Sequence, residues 1–331
     1  MVKRYIILLS VLIAGFGSLS NAQDPHFSQF YANPLYLNPA LAGSENCPRI
    51  SLNYRNQWPG LGNTYVTYSL SYDQHLSPIH GGIGLNILRD VQADGALTTT
   101  SINAMYSYTL KVTNKFYMAA GFQASFFMSA INWDFIFPDM IHPLYGPIYS
   151  SYEHDNLSND RRNYPDFSIG LIGFTEKTFL GFAVHHLTQP SISFLKGSND
   201  SELLRKYTVH FGTEFEINPR GSSLRRGDLK LSPQILFYQQ GRFQQFNWGL
   251  YLSRKQLVVG LWARQNFSFH YDAVMMIIGF KQDNLRFAYS YDLTVSELSR
   301  SVLGAHEISA AFVFGCRVKP KKIKSVNCPS F

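Results

Sequence analysis

Charge is scarce in this sequence. Only 15% of its 331 residues are Asp, Glu, Lys or Arg, against about 25% in an ordinary soluble domain. A disordered chain is excluded, because it needs more charge and fewer rings than the 15% aromatic content found here. Three cysteines are too few for a disulfide-dense scaffold. Past residue 20 there is no run of about 18 apolar residues, which excludes a bundle of membrane helices. No Lys/Arg stripe with interleaved aromatics crosses the body of the chain, so nucleic acid is not expected as a partner. G-x-S-x-G, P-loop, H-E-x-x-H and paired C-x-x-C patterns are missing as well. No enzyme activity, cofactor or metal is therefore expected. His185 and His186 are neighbours on an expected strand, which places them on opposite faces and suits no shared metal.

What remains is 45% hydrophobic with a mean hydropathy of −0.10. Low charge and many aromatics without long apolar runs fit a transmembrane β-barrel, whose strands are only half apolar. The N-terminus reads as an address. Lys3 and Arg4 precede the apolar stretch 5–16, and Ser20-Asn21-Ala22 follows as a small-residue cleavage site. Residues 1–22 are expected to be a removed signal peptide. The formal charge of +7 then falls to +5, and residues 316–331 carry all of that in Arg317, Lys319, Lys321, Lys322 and Lys324, with no acid. Residues 23–315 are close to neutral. The tail 317–331 is expected to be a basic periplasmic end, either solvated or in contact with an acidic partner.

Strand follows strand along the body. Val66, Tyr68, Leu70 and Tyr72 alternate with Thr67, Ser69, Ser71 and Asp73. Ile102, Ala104, Tyr106 and Tyr108 alternate likewise with Ser101, Asn103 and Ser107. This is period two, not 3.6. Strands are expected near 49–57, 63–75, 79–90, 96–111, 114–131, 163–175, 177–187, 203–217, 230–240, 243–254, 256–267, 270–281, 283–293 and 306–316. The fold class is thus all-β, a single-chain antiparallel barrel of about 14 strands over residues 49–316, an even number as bacterial barrels require. With a periplasmic start, the long connections 132–162, 188–202 and 294–305 fall outside. The inner turns are short except 218–229.

Residues 23–48 break the pattern. Between residues 23 and 43, three prolines and two Asn-Pro steps forbid a strand, yet the stretch is too aromatic for a solvated linker. It is expected to be a plug or lumen-lining element, or else an arm packed beneath the barrel. Asp24-Pro25-His26-Phe27-Ser28-Gln29-Phe30-Tyr31-Ala32-Asn33-Pro34, followed by Leu37-Asn38-Pro39-Ala40-Leu41-Ala42-Gly43, resembles the opening signature of the PorP/SprF family. These are outer-membrane proteins of the type IX secretion system of Bacteroidetes. Tyr54-Arg55-Asn56-Gln57-Trp58, Gly81-Gly82-Ile83-Gly84, Tyr289-Ser290-Tyr291-Asp292, His306-Glu307-Ile308-Ser309 and Cys328-Pro329-Ser330-Phe331 extend the likeness along the chain.

The resemblance implies an accessory for secretion and surface attachment of adhesins. Its implied partners are a secreted adhesin's C-terminal domain, the translocon, the periplasmic ring proteins and outer-membrane lipid. The other readings are a passive channel or hydrophobic-compound transporter, and a structural anchor for the ring.

Strand phasing turns Arg55, Asp73, His210, Glu214, Arg264, Arg286 and Asp292 into the lumen. Charges survive there in ion pairs or water, whereas the lipid face penalises them. They are expected to pair among themselves, or to clamp residues 24–43 or a secreted chain. Barrel closure brings the first strand beside the last, so Cys47–Cys316 and Cys47–Cys328 are both sterically allowed, as are three free thiols.

Overall fold

The computed structural model describes residues 24–45, 47–60, 64–132, 140–149, 160–194, 201–217, 229–267, 271–295 and 303–314. Within them the alternating segments form strands β1 (Arg49–Gln57), β2 (Tyr65–Leu76), β3 (Gly81–Gln92), β4 (Leu97–Lys111) and β5 (Tyr117–Ile131). Next come β6 (Arg161–Phe174), β7 (Thr178–His185) and β8 (Lys206–Thr213, continued by Phe215–Ile217). The last six are β9 (Leu229–Gln240), β10 (Phe243–Arg254), β11 (Leu257–Gln265), β12 (Tyr271–Gln282), β13 (Leu285–Thr294) and β14 (Ala305–Val313). Each pairs antiparallel with its neighbours in sequence. The first and last also pair, from Arg49↔Val313 to Gln57↔Ala305, which closes the sheet. A closed barrel leaves no edge, the condition for strands to span lipid.

Alternation is inverted relative to a soluble protein. Leu52, Leu70, Leu85, Ile102, Phe122 and Leu171 are exposed on the outer face. Asn53, Ser71, Asn86, Asn103, Gln123 and Ser168 are buried on the inner one. Lipid in place of water outside accounts for the reversal. The expected strands all have counterparts. Boundaries shift by up to three residues; at β5, Thr113 Oγ1 accepts from the Phe116 amide at 3.0 Å and holds 113–116 as a turn.

The end that carries Arg49 and Val313 has short connections apart from 218–228. The opposite end carries 132–160 and 186–205, the two longest. Between β6 and β7 the ladder is short. It runs from Ile169↔Val184 to Phe174↔Phe179, whereas β5 pairs with β6 as far as Ala130↔Arg161. Beyond it the connection continues the wall, with the Leu187 amide donating to Phe167 O at 3.0 Å.

Candidate functional site

Residues 24–45 lie against inward-facing side chains of the barrel. Asn-Pro steps set their local shape. Pro34 opens the short helix Pro34–Leu37 and Pro39 opens a 3-10 turn, Pro39–Leu41. A proline fits the first position because its missing N–H would have had no partner. Asn38 caps the turn, its side chain accepting from the Ala40 amide at 2.9 Å. Its Nδ2 donates to Leu171 O and Phe182 O, both at 3.2 Å, and lies 3.2 Å from His210 Nε2. Rings fill the space around this backbone. Phe30 packs edge-on to Trp262 at 5.1 Å, Tyr31 to Phe179 at 5.6 Å, and Phe27 to Tyr36 at 5.4 Å.

Glycines in the wall allow the segment to approach this closely. A Cβ on Gly121 would sit 2.3 Å from the Ala40 amide nitrogen, and one on Gly170 would sit 1.9 Å from Asn38 Oδ1.

The segment runs between the two ends of the barrel. Near the short-connection end, the Gly43 amide donates to Asp73 Oδ2 at 3.0 Å, and Arg49 Nε donates to Asp73 Oδ1 at 2.9 Å. Glu45 pairs with Arg286 there. Midway, Asn33 Nδ2 donates to Ser69 Oγ at 2.9 Å. Further along, Glu307 accepts from the Ser28 amide at 2.6 Å and the Gln29 amide at 3.1 Å. Arg55 joins Glu307 at 3.1 Å to Asp292 at 2.9 Å, and Arg264 reaches Asp292 at 3.1 Å. Ser28 Oγ donates to Asp292 and accepts from both arginines. Two guanidiniums thus face two carboxylates, all nearly fully buried, the balance that burial of charge requires.

At the long-connection end, Asp24 Oδ2 lies 2.8 Å from His186 Nε2 and 3.1 Å from Lys206 Nζ. Burial alone would lower the His186 pKa and raise that of Asp24. The charges outweigh it, so His186 rises to about 9 and Asp24 is held well below the carboxylate range. His26 is the reverse case, kept neutral by burial and by the nearby Arg264 and Arg55.

Two cavities flank the segment, both at the long-connection end. One of about 180 Å³ is lined by Asp24, Asn103, Gln123, Tyr164, Asp166 and His186. The other, about 550 Å³, is lined by His26, Arg55, Arg242, Arg264 and Asp272 among others.

The model of the type IX secretion system membrane protein PorP/SprF matches residues 19–312. The chain belongs to the PorP/SprF family. Family and closed barrel together place this PorP/SprF protein in the outer membrane, with a role in type IX secretion. No curated protein matches it. Among solved structures it is similar to the Ralstonia pickettii toluene transporter TbuX, with 10% identity, TM-score 0.47, and 86% of this chain and 92% of that chain covered. It is similar to a Pseudomonas aeruginosa FadL homologue at 13% identity, TM-score 0.42, covering 90% of this chain and 96% of that one. It is also similar to Haemophilus ducreyi BamA lacking POTRA domains 1–3, at 10% identity and TM-score 0.40, covering 82% and 71%.

In this PorP/SprF protein the signature residues converge. Asp24, Ser28, Gln29, Asn33 and Asn38 make side-chain or amide bonds to the wall. Phe27 and Tyr31 are buried rings, Pro25 and His26 border the cavities, and Pro34 and Pro39 start turns. Of the expected lumen residues, Arg55, Asp73, His210, Arg264, Arg286 and Asp292 are buried within this arrangement. Glu214 is not. It sits at the break in β8, partly exposed, bonded to Lys230 at 2.8 Å. His185 and His186 do not face opposite sides. His186 has φ +59°, which breaks the alternation after β7 and leaves both rings buried and lining one cavity. Among the described residues no group of His, Cys, Asp and Glu is arranged to hold a metal.

Glu307, Arg49, Lys206 and His186 were not legible as site residues. The phase of Glu307 with Ser309 was a usable signal, but its position opposite Arg55 depends on closure register. Cys47 is disulfide-bonded. Its partner, and Cys316, Arg317, Lys319, Lys321, Lys322, Lys324 and Cys328, lie outside the described residues, as do residues 1–22.

Proposed function

We propose that this protein supports the export and surface attachment of an adhesin-type protein by holding that protein's C-terminal domain at the long-connection end, which faces outward. In this reading residues 24–45 are a plug, and the barrel is a docking scaffold. The basic tail 317–331 meets the translocon or the periplasmic ring. The observation that carries the reading is the buried network joining Ser28 and Gln29 to Glu307, Arg55 and Asp292. A through-channel has little use for two carboxylates and two guanidiniums spent on fixing a segment across its own lumen, since buried charge is costly unless fully paired.

Affinity purification of the tagged protein from its own cells, followed by mass spectrometry, tests this. Recovery of an exported protein and of secretion-system components supports the scaffold. Recovery of neither, together with equal bilayer conductance for the intact protein and a variant lacking residues 24–43, supports a passive channel instead.

A further inference from the structure

The larger cavity has a composition that the network does not explain. Its floor is formed by His26 of the inner segment together with Arg55, Arg264 and Asp292. Its walls carry Gln57, Gln244, Gln245 and Gln265, and Trp58, Phe243, Phe267 and Tyr271 also line it. Phe267 and Tyr271 are more than half exposed. Every strand residue in the lining belongs to a strand end or turn at the long-connection end. The cavity therefore lies at that end, and the inner segment with its buried network closes it below. A blind cavity takes the end of a chain, whereas a groove takes its middle.

Charge points to the kind of end. Arg55, Arg242 and Arg264 line the cavity, against Asp272 and Asp292. Asp292 Oδ2 already accepts from Arg55, Arg264 and Ser28. Asp272 is half-exposed and stands 3.7 Å from Arg264, a loose pair. Arg242, exposed in the turn between β9 and β10, makes no ion pair among the described residues. Arg242 is thus left over at the mouth, and Arg264, fixed through Nη2 on Asp292 and Ser28, keeps an Nη1 edge whose one ion pair is the loose contact with Asp272. Guanidinium groups recognise carboxylates by paired, charge-assisted hydrogen bonds. The four glutamines can pair with a peptide backbone, and the rings can cover apolar side chains. A volume of about 550 Å³ lies within the roughly 300–1,000 Å³ range of ligand pockets.

We propose that this cavity binds the free C-terminal carboxylate and last few residues of an exported polypeptide, with Arg242 and Arg264 on the carboxylate and the glutamines on the backbone. The proposal rests on the reading that an exported chain is the partner, and it names where and by what chemistry that chain is held. Capture of a terminal carboxylate is an established mode of peptide recognition.

The test uses the full-length protein in detergent, a library of free-acid pentapeptides, and the same library amidated at the C-terminus. The free acids should bind at least about tenfold more tightly than the amides. Arg242→Gln, which removes an exposed side chain and leaves the buried network alone, should abolish that preference while heat-modifiable migration stays unchanged. Equal binding of acids and amides, or a preference that survives Arg242→Gln, overturns the site. Displacement of peptides by inorganic phosphate at equal concentration, with no selectivity among peptides, also overturns it and leaves a simple anion site. The two readings separate cleanly. An exported protein recovered from cells, but indifferent to amidation of its C-terminus, removes the site and keeps the scaffold. Carboxylate-dependent peptide binding without any exported protein recovered keeps the site and removes the scaffold.

Discussion

Neutralising Glu307 should detach the inner segment without opening the barrel. The Glu307 carboxylate accepts from the Ser28 amide at 2.6 Å, from the Gln29 amide at 3.1 Å and from Arg55 Nη1 at 3.1 Å. In Glu307→Gln the carboxamide keeps one acceptor oxygen but loses the charge and the second oxygen. Breaking one partner out of a buried ion pair costs about 3–5 kcal/mol. Asp292 still holds Arg55 at 2.9 Å, so the lower end applies. A loss of about 3 kcal/mol is a factor of roughly 150 in the docked-to-undocked equilibrium. Hydrogen exchange reads this directly, because the two amides that donate to Glu307 are protected only while docked. Exchange at Ser28 and Gln29 should accelerate by about that factor, while amides of β1 and β14 stay protected, since their ladder from Arg49↔Val313 to Gln57↔Ala305 is backbone-made. Acceleration below about threefold at Ser28 and Gln29 would refute the argument that this carboxylate anchors the segment.

Other outcomes follow from the same contacts. His186 has a folded pKa of about 9 against 6.5 for the free group. A raised value means its contribution is complete below about 6.5 and is lost as pH rises through about 9. Thermal midpoints in detergent should fall across that window, and His186→Gln should flatten the profile. In Gly121→Val the side chain would enter space occupied by the Ala40 amide, 2.3 Å from a Cβ at that position. Backbone cannot yield as a side-chain tip does, so the turn Pro39–Leu41 should be displaced at a cost of about 1–3 kcal/mol. Limited proteolysis should then cut within residues 34–42 of a barrel that still shows heat-modifiable migration. Protein unfolded without reductant should titrate one free thiol, because Cys47 is one of three cysteines and is disulfide-bonded. Cys47→Ser refolded under reducing conditions should titrate two and lose about 2–4 kcal/mol of stability.

The sequence by itself determined the barrel. Period-two alternation depends only on which face of a strand meets lipid, so Leu70 and Ser71 or Ile102 and Asn103 declare their sides without any partner. The same local logic marked residues 24–43 as something other than a strand, because Pro25, Pro34 and Pro39 cannot donate to a ladder. Local phase also turned Arg55, Arg264 and Asp292 inward.

Tertiary structure decided what those residues meet. Arg55 pairs with Glu307 because the first strand closes on the last in one register, and that register joins positions 252 residues apart. Asp24 meets His186 and Lys206 only because the segment runs back through the barrel to the end opposite Arg49. His186 itself turns inward through a left-handed backbone that no alternation rule anticipates. Glu214 fell outside the network for a similar reason, since a break in β8 places it at the rim beside Lys230. Periodicity records which way a side chain points. Closure, and the path of a segment without periodicity, fix its neighbours, and long-range contacts of that kind leave no local trace.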